Sequence, residues 1–271
     1  MARLGNGEFS EEDWNRWKTR SLDLLPQHER NAFLDTAILA CAYKKDSFEH
    51  NVRRVKNNGT PIAPITAESV PREANRQSSD RASGLPRKII LNRNTVFRLT
   101  SNLWTAAGLT NGAIGIVKAI IYAPGKKPPA LPTAIIATFD SYVGPPWRED
   151  IPKSVVITPV KREWFSHQTK CHRTMLPIVL GYALSIHKLQ GSTCDRIILN
   201  AGKKEYVSGI MLVGASRVKL FDNLALHPFP NFERFEQVNN NRSVRKQKIE
   251  ETRMRELQQL TIEKYELSNA H

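Results

Sequence analysis

The stretch Gly181-Tyr-Ala-Leu-Ser-Ile-His-Lys-Leu-Gln-Gly-Ser-Thr193 changes character midway. An apolar run from Ile178 to Ile186 gives way to His187, Lys188, Gln190, Gly191, Ser192 and Thr193, and apolar residues resume at Ile197 to Leu199. The run is too short to cross a bilayer and predicts a buried strand with polar groups at its carboxyl end. Open α/β sheets bind ligands at the carboxyl ends of their strands, and Gly191 lets a backbone N–H approach a phosphate with no β-carbon in the way. Taken singly, His187 or Lys188 reads as a polar turn after a core strand. The run as a whole gathers groups suited to phosphate or base.

The rest of the chain bounds the partner. Its 271 residues allow one or two domains with a sizeable core, and 40% hydrophobic with 24% charged residues excludes a disordered chain. Lys and Arg number 40 against 26 Asp and Glu, a formal charge of +14 that favours a polyanion, nucleic acid before membrane. No run reaches the length of a spanning helix, and Met1 to Gly7 leads into no apolar signal core, so the expectation is an intracellular protein with no membrane partner. Cys41, Cys171 and Cys194 are far apart and lack Cys-x-x-Cys spacing, which predicts reduced, structural thiols. His167, Cys171 and His172 cluster, but a closed zinc site wants a fourth ligand and none is near, so no metal is assigned.

Along the chain, Ser10-Glu-Glu-Asp13 reads as a capping box ahead of a helix carrying Trp14 and Trp17. Pro26 and Gln27 open a second helix, Ala37 to Ala42 reads as a buried strand, Lys45 to Asn57 as a helix and Pro61 to Ala67 as extended, an order that suggests a parallel sheet. Glu68 to Arg87 reads as an exposed loop. Thr95 to Thr100, Ala113 to Tyr122, Thr133 to Phe139 and Ser154 to Val160 are β-rich runs divided by turns, among them Asn111-Gly112, and predict a small antiparallel barrel. Asp195 to Asn200 reads as a strand, Tyr206 to Val218 as helix-like, and Asn223 to Phe229 as a last strand. Asn231 to His271 reads as a charged surface tail with a ragged apolar stripe.

With these elements in place, Ala183 to Thr193 resembles motif V of the PIF (petite integration frequency) DNA helicases, relatives of RecD. Gly-Glu-Phe-Ser-Glu-Glu-Asp-Trp14 and the segment through Asn51 are similar to the family's passage from its first RecA-like domain into its second, with Asn51 at the motif IV asparagine; read without the family, Asn51 is a helix-surface residue. Leu109 to Val117 is similar to the entry of the family's SH3-like 2B insertion, with Thr100 and Asn102 at the positions of motif IVa. Arg98 stands where the family usually has an apolar residue. Tyr206 to Val218 resembles motif VI, whose arginine, here Arg217, reaches the γ-phosphate of ATP. Gly214 replaces a more usual alanine.

The resemblance implies an α/β fold: a RecA-like parallel sheet, the second motor domain, with an inserted SH3-like β-barrel. Residues 1–110 would hold the linker and first part of the domain, 111–170 the insertion, 171–230 the remainder and 231–271 the tail. It implies catalysis by Arg217, ATP contacts from Gln190, Gly191 and Arg217, and DNA contacts from His187, Lys188, Ser192, Thr193, Thr100, Asn102 and Asn51. ATP and Mg would be held mainly by a first RecA-like domain, in cis or in trans, with single-stranded DNA as the second partner. Nucleus or mitochondrion would be the compartment in a eukaryote. Arginine suits the catalytic task because a planar, permanently charged fork bridges phosphate oxygens.

Phosphoryl transfer also needs a Gly-x-x-x-x-Gly-Lys-Ser/Thr loop and a strand-borne carboxylate, and neither stands in these residues: Gly125-Lys-Lys and Gly202-Lys-Lys are followed by no Ser or Thr. The expected function is the carboxyl-terminal half of an ATP-dependent 5′-to-3′ DNA helicase, inactive alone. The alternatives are a non-catalytic single-strand-binding module derived from one and, more remotely, a protein-interaction domain using the barrel.

Overall fold

The computed structural model describes residues 2–6, 8–203, 209–240 and 242–269. The chain divides into two compact units, one of residues 1–47 and 184–271 and one of residues 48–183. The second unit takes in the segment 111–170 and extends beyond it at both ends.

The first unit begins with α1 (Ala2–Gly5) and α2 (Glu11–Lys18). The capping box is formed: Ser10 Oγ accepts from the Asp13 amide at 3.2 Å, and the Asp13 carboxylate accepts from the Ser10 amide at 3.1 Å. α3 (Gln27–Thr36) and the buried strand β1 (Ile38–Cys41) follow as the sequence predicts. All three cysteines are buried, and burial pushes the Cys41 thiol up to about 12. α4 (Lys44–Lys56) then carries the chain into the second unit.

The second unit contains β2 (Ala63–Thr66), β3 (Glu68–Val70), β4 (Lys88–Leu91), β5 (Val96–Leu99), β6 (Ile114–Ile121), β7 (Ala134–Thr138), β8 (Ser154–Ile157), β9 (Val160–Ser166), β10 (Thr169–Met175) and β11 (Ile178–Leu180). β5 to β8 match the four predicted β runs and, with β11, form a five-stranded antiparallel sheet in the order β11-β5-β6-β7-β8. Gly115 makes this core possible, since a β-carbon there would stand 2.6 Å from the Phe97 ring and 2.8 Å from that of Phe139.

Two parts of this unit depart from expectation. The predicted strand before β9 continues into an unforeseen hairpin, β9 and β10, which pairs with β3 in a second sheet. Its turn places His167 and Gln168 at positive φ, 45° and 61°, with no glycine to announce it. The segment 68–87, expected as an exposed loop, is instead anchored. It forms β3 and a 3-10 turn over Arg72–Arg76, and Arg173, with no exposed surface, fastens it. The Arg173 guanidinium donates to the carbonyls of Leu85 (2.9 Å), Ala74 (3.1 Å) and Gln77 (2.9 Å), with Trp164 stacked against it.

The run from Ile178 to Ile186 is not one strand. β11 ends at Leu180 and pairs with β5; after Gly181 and Tyr182 the chain forms β12 (Ala183–Ser185), which lies beside β1 in the other sheet. Gly181 permits the break: its N–H donates to the Val96 carbonyl, and a β-carbon there would lie 3.0 Å from the Phe97 carbonyl carbon.

Back in the first unit, α5 (Ile186–Leu189), β13 (Ile197–Asn200), α6 (Ile210–Ala215) and β14 (Leu224–Leu226) complete a four-stranded sheet in the order β12-β1-β13-β14, with the β1–β13 and β13–β14 pairs parallel. The α/β class and parallel sheet stand as expected. The predicted tail does not begin at 231. α7 (Phe232–Asn239) seals the core instead: Phe235 stacks on Phe9 with ring centroids 4.3 Å apart, and buried Arg234 donates to the Ala201 carbonyl at 3.2 Å. α8 (Arg242–Asn269) is the charged helix beyond it. Among the described residues no helix is long and apolar enough to cross a membrane.

Candidate nucleotide and nucleic-acid interface

The polar residues after β12 sit on a single helical turn and the loop behind it, not on the strand end. Residues three apart share a helix face. Ile186 and Leu189 therefore turn inward, into one cluster with Ile210, Met211 and Ala215 of α6, while His187, Lys188 and Gln190 are exposed. The chain then reverses at Gly191, whose φ of +80° explains the glycine; a β-carbon there would meet nothing within 4 Å, so backbone conformation and not space selects it. Ser192 donates its amide to the Leu189 carbonyl at 2.9 Å, closing the turn. The side chains of His187, Lys188, Gln190, Ser192 and Thr193 make no hydrogen bond or ion pair among the described residues, so their polar groups face solvent or a ligand.

Arg217 joins this turn through the main chain. The Cys194 amide donates to the Arg217 carbonyl at 2.8 Å, tying the end of the Gln190–Thr193 loop to the end of α6. The Arg217 side chain folds back on its own helix, Nε donating to the Val213 carbonyl at 2.9 Å and Nη2 to Ser216 Oγ at 2.8 Å. Nη1 makes no hydrogen bond among the described residues, and the side chain is half-exposed. A guanidinium held at two donors with a third open fits a phosphate oxygen, whereas a salt-bridge arginine would be spent on a carboxylate. The glycine at 214 has a packing reason: a β-carbon there would lie 2.6 Å from Leu199 Cδ1 and 3.4 Å from Ile186 Cδ1. Of the motif that ends in Arg217, Tyr206, Val207 and Ser208 lie outside the described residues.

The other expected DNA-contact positions belong to the second unit. Asn51 is no surface residue: it is buried, its Nδ2 donates to the Ala183 carbonyl at 2.7 Å, and its Oδ1 accepts from the Ala183 amide at 2.9 Å. The side chain thus acts as a short piece of strand against the backbone that leads to His187. The Thr100 hydroxyl is shielded and without a partner among the described residues, and Gly84 packs so close that a β-carbon there would stand 3.2 Å from Thr100 Cβ. Asn102 is exposed, and its Oδ1 caps the Asn111 amide at 2.7 Å. Arg98, the charged residue on an apolar position, is buried with Nη1 on the Gly112 carbonyl at 3.3 Å, bracing the Asn111–Gly112 turn.

Sequence reasoning did not find Arg173. Arg173 lies on β10 with Cys171 and Met175, all three buried on one face, and a charged residue between them gives no signal of facing inward. His167, Cys171 and His172 fall on the β9–β10 hairpin, and no group of three metal-ligating side chains gathers among the described residues.

No protein-family model matches the chain. The ATP-dependent DNA helicase PIF1 of Danio rerio is 26% identical over 202 residues, covering 74% of this chain and 28% of that protein. Among solved structures, the Pif1 helicase of Candida albicans superposes with a TM-score of 0.69 at 17% identity, over 93% of this chain and 56% of the other. Pif1 from Bacteroides in complex with ADP-AlF3 and single-stranded DNA superposes with a TM-score of 0.59 at 14% identity, over 91% and 51%. The chain spans about a quarter of its curated relative and about half of the solved ones. The chain is thus similar over most of its length to a part of the Pif1 helicases, and it shares the fold of that part.

Proposed function

We propose that the chain is the carboxyl-terminal half of an ATP-dependent 5′-to-3′ DNA helicase, holding single-stranded DNA and lending Arg217 to ATP bound on a first RecA-like domain. In this reading residues 111–170, within the unit of residues 48–183, correspond to the SH3-like insertion, and residues 171–230 to the remainder of the second motor domain. One observation carries it: the Arg217 guanidinium is half-exposed with Nη1 unspent, on a helix end tied by the Cys194–Arg217 hydrogen bond to the loop that carries Gln190 and Gly191. Bound ATP with Mg would supply the transferable phosphoryl group. This chain's residues would then do three things. Arg217 would meet charge that develops on the γ-phosphate, Gln190 and the Gly191 amide would orient phosphate oxygens, and His187, Lys188, Ser192 and Thr193 would hold the DNA backbone.

Binding of a fluorescent oligonucleotide, followed by anisotropy, tests the DNA half of the proposal. Affinity should fall steeply as salt rises, because neutralised phosphates release their counterions. His187→Ala with Lys188→Ala should weaken binding and flatten the salt slope by about 1 for each phosphate no longer neutralised. No binding at low salt, or binding indifferent to salt, would overturn it. DNA binding without any turnover once a first motor domain is supplied would leave the non-catalytic binding module.

A further inference from the structure

We infer that Trp104 is a stacking platform for an unpaired base of single-stranded DNA, a role that rests on the DNA-binding reading above. Trp104 is half-exposed, at 50%, on the loop between β5 and β6, a high value for a large aromatic side chain in a folded unit. Its neighbours Leu103 and Val143 are exposed as well, at 38% and 79%.

The loop under the ring is rigid. Leu103 and Trp104 both donate their amides to the Leu109 carbonyl, and the Leu109 amide returns a bond to the Trp104 carbonyl at 3.0 Å. Gly108 adopts φ +83°, and a β-carbon on it would stand 2.2 Å from the Ser141 carbonyl oxygen, so the 103–110 loop and the loop at 140–144 are pressed together. Val143 donates its amide to the Ala107 carbonyl at 3.2 Å across that junction. Buried Tyr142 supports the indole from the side, with ring centroids 6.3 Å apart at 63°. The aromatic face is thereby presented to solvent at little further cost in ordering.

Charge selects the occupant. The unit that carries Trp104 holds 19 Lys and Arg against 8 Asp and Glu, a balance of +11 out of the chain's +14. An exposed aromatic on a strongly cationic unit suits a ligand with a π-face and a phosphate backbone, and single-stranded nucleic acid has both at every residue. Asn102, two residues away, accepts from the Asn111 amide at 2.7 Å, so an expected DNA-contact position helps close the loop that carries the platform.

The test uses the full chain with two labelled oligonucleotides of equal length, oligo-dT and its fully abasic analogue, which keep the same phosphates. The wild type should prefer oligo-dT. Trp104→Ala should weaken oligo-dT binding by roughly 5- to 150-fold, the range typical of removing one base–aromatic stack, while leaving abasic binding and the salt slope unchanged. Trp104→Phe should recover part of the preference. Equal oligo-dT affinity in wild type and Trp104→Ala would overturn the inference while leaving the DNA-binding reading intact, as would equal losses on both oligonucleotides with no recovery in Trp104→Phe. Self-association abolished by Trp104→Ala with no change in oligo-dT affinity would assign the patch to a second copy and overturn it too. A wild type that binds neither oligonucleotide would remove the DNA-binding reading and this inference together.

Discussion

The Cys194 amide donates to the carbonyl of Arg217 at 2.8 Å. That single main-chain bond ties the loop bearing Gln190, Gly191, Ser192 and Thr193 to the helix end bearing Arg217, although the bonded pair stand 23 positions apart in sequence. In the proposed function, the arginine offered to a phosphate and the loop offered to DNA are thus tied to one another.

Asn51 should prove a positioning residue. Its amide completes both hydrogen-bonding groups of Ala183 in a buried site, and removing it leaves a buried N–H and C=O unpaired. Asn51→Ala should cost about 1 to 3 kcal/mol, seen as a lower urea midpoint. Asn51→Asp should cost at least as much, since a carboxylate oxygen would face the Ala183 carbonyl. An unchanged midpoint in both variants would show that the bonds contribute nothing.

Arg173 holds the segment 68–87 chiefly by its carbonyls, with Nε also on Ser69 Oγ at 3.4 Å. Arg173→Met should destabilise the protein by upwards of ~3 kcal/mol because three buried carbonyls lose their donor at once. Arg173→Lys should recover little, as one ammonium cannot reach acceptors spread around a planar fork. Limited proteolysis should then cut first within 72–87 in both variants. Cleavage elsewhere at native rates would contradict this account.

Mild acid should destabilise the fold through His50. Burial first, then the neighbouring Arg53 and Arg54, hold its imidazole down to about 4 against an ordinary value of 6.5. Above pH 6.5 the ring is neutral folded or unfolded and contributes nothing to pH dependence. As pH falls from 6.5 towards 4 the unfolded chain takes up a proton that the folded chain refuses, so stability drops across that window. His50→Gln should remove this part of the decline in urea midpoints measured through the window. A variant as acid-sensitive as the wild type would refute the assignment.

Much of this architecture is legible in the residues, and the illegible parts share a cause. The capping box at Ser10 and Asp13, α3, β1 and α4 announce themselves because caps and apolar spacing are local signals. The run Ile178 to Ile186 hid its break because two buried strands are as apolar as one. Only the approach of Gly181 to Phe97, 84 positions away, decides it. Arg173 was hidden for the same reason, its partners being Ser69 Oγ and main-chain carbonyls that any sequence supplies, all in a distant segment. α7 read as tail because its inward face is carried by Arg234 and Phe235 amid polar residues. At the candidate site, the polar run His187 to Thr193 and the arginine at 217 were visible as residue types, although the run was expected at a strand end and lies on a helical turn and loop. The burial of Asn51 and the shielding of Thr100 were not, because each is imposed by a distant segment.

The central claim is that Arg217 acts on ATP held elsewhere, and one measurement tests it most directly. Fused to, or mixed with, a first RecA-like domain carrying a Walker A loop, the chain should show DNA-stimulated phosphate release. Arg217→Lys should lower that turnover by about 10³ to 10⁵ while oligonucleotide affinity holds, since lysine keeps the charge and loses the fork. Full DNA-stimulated turnover in Arg217→Lys would contradict the account.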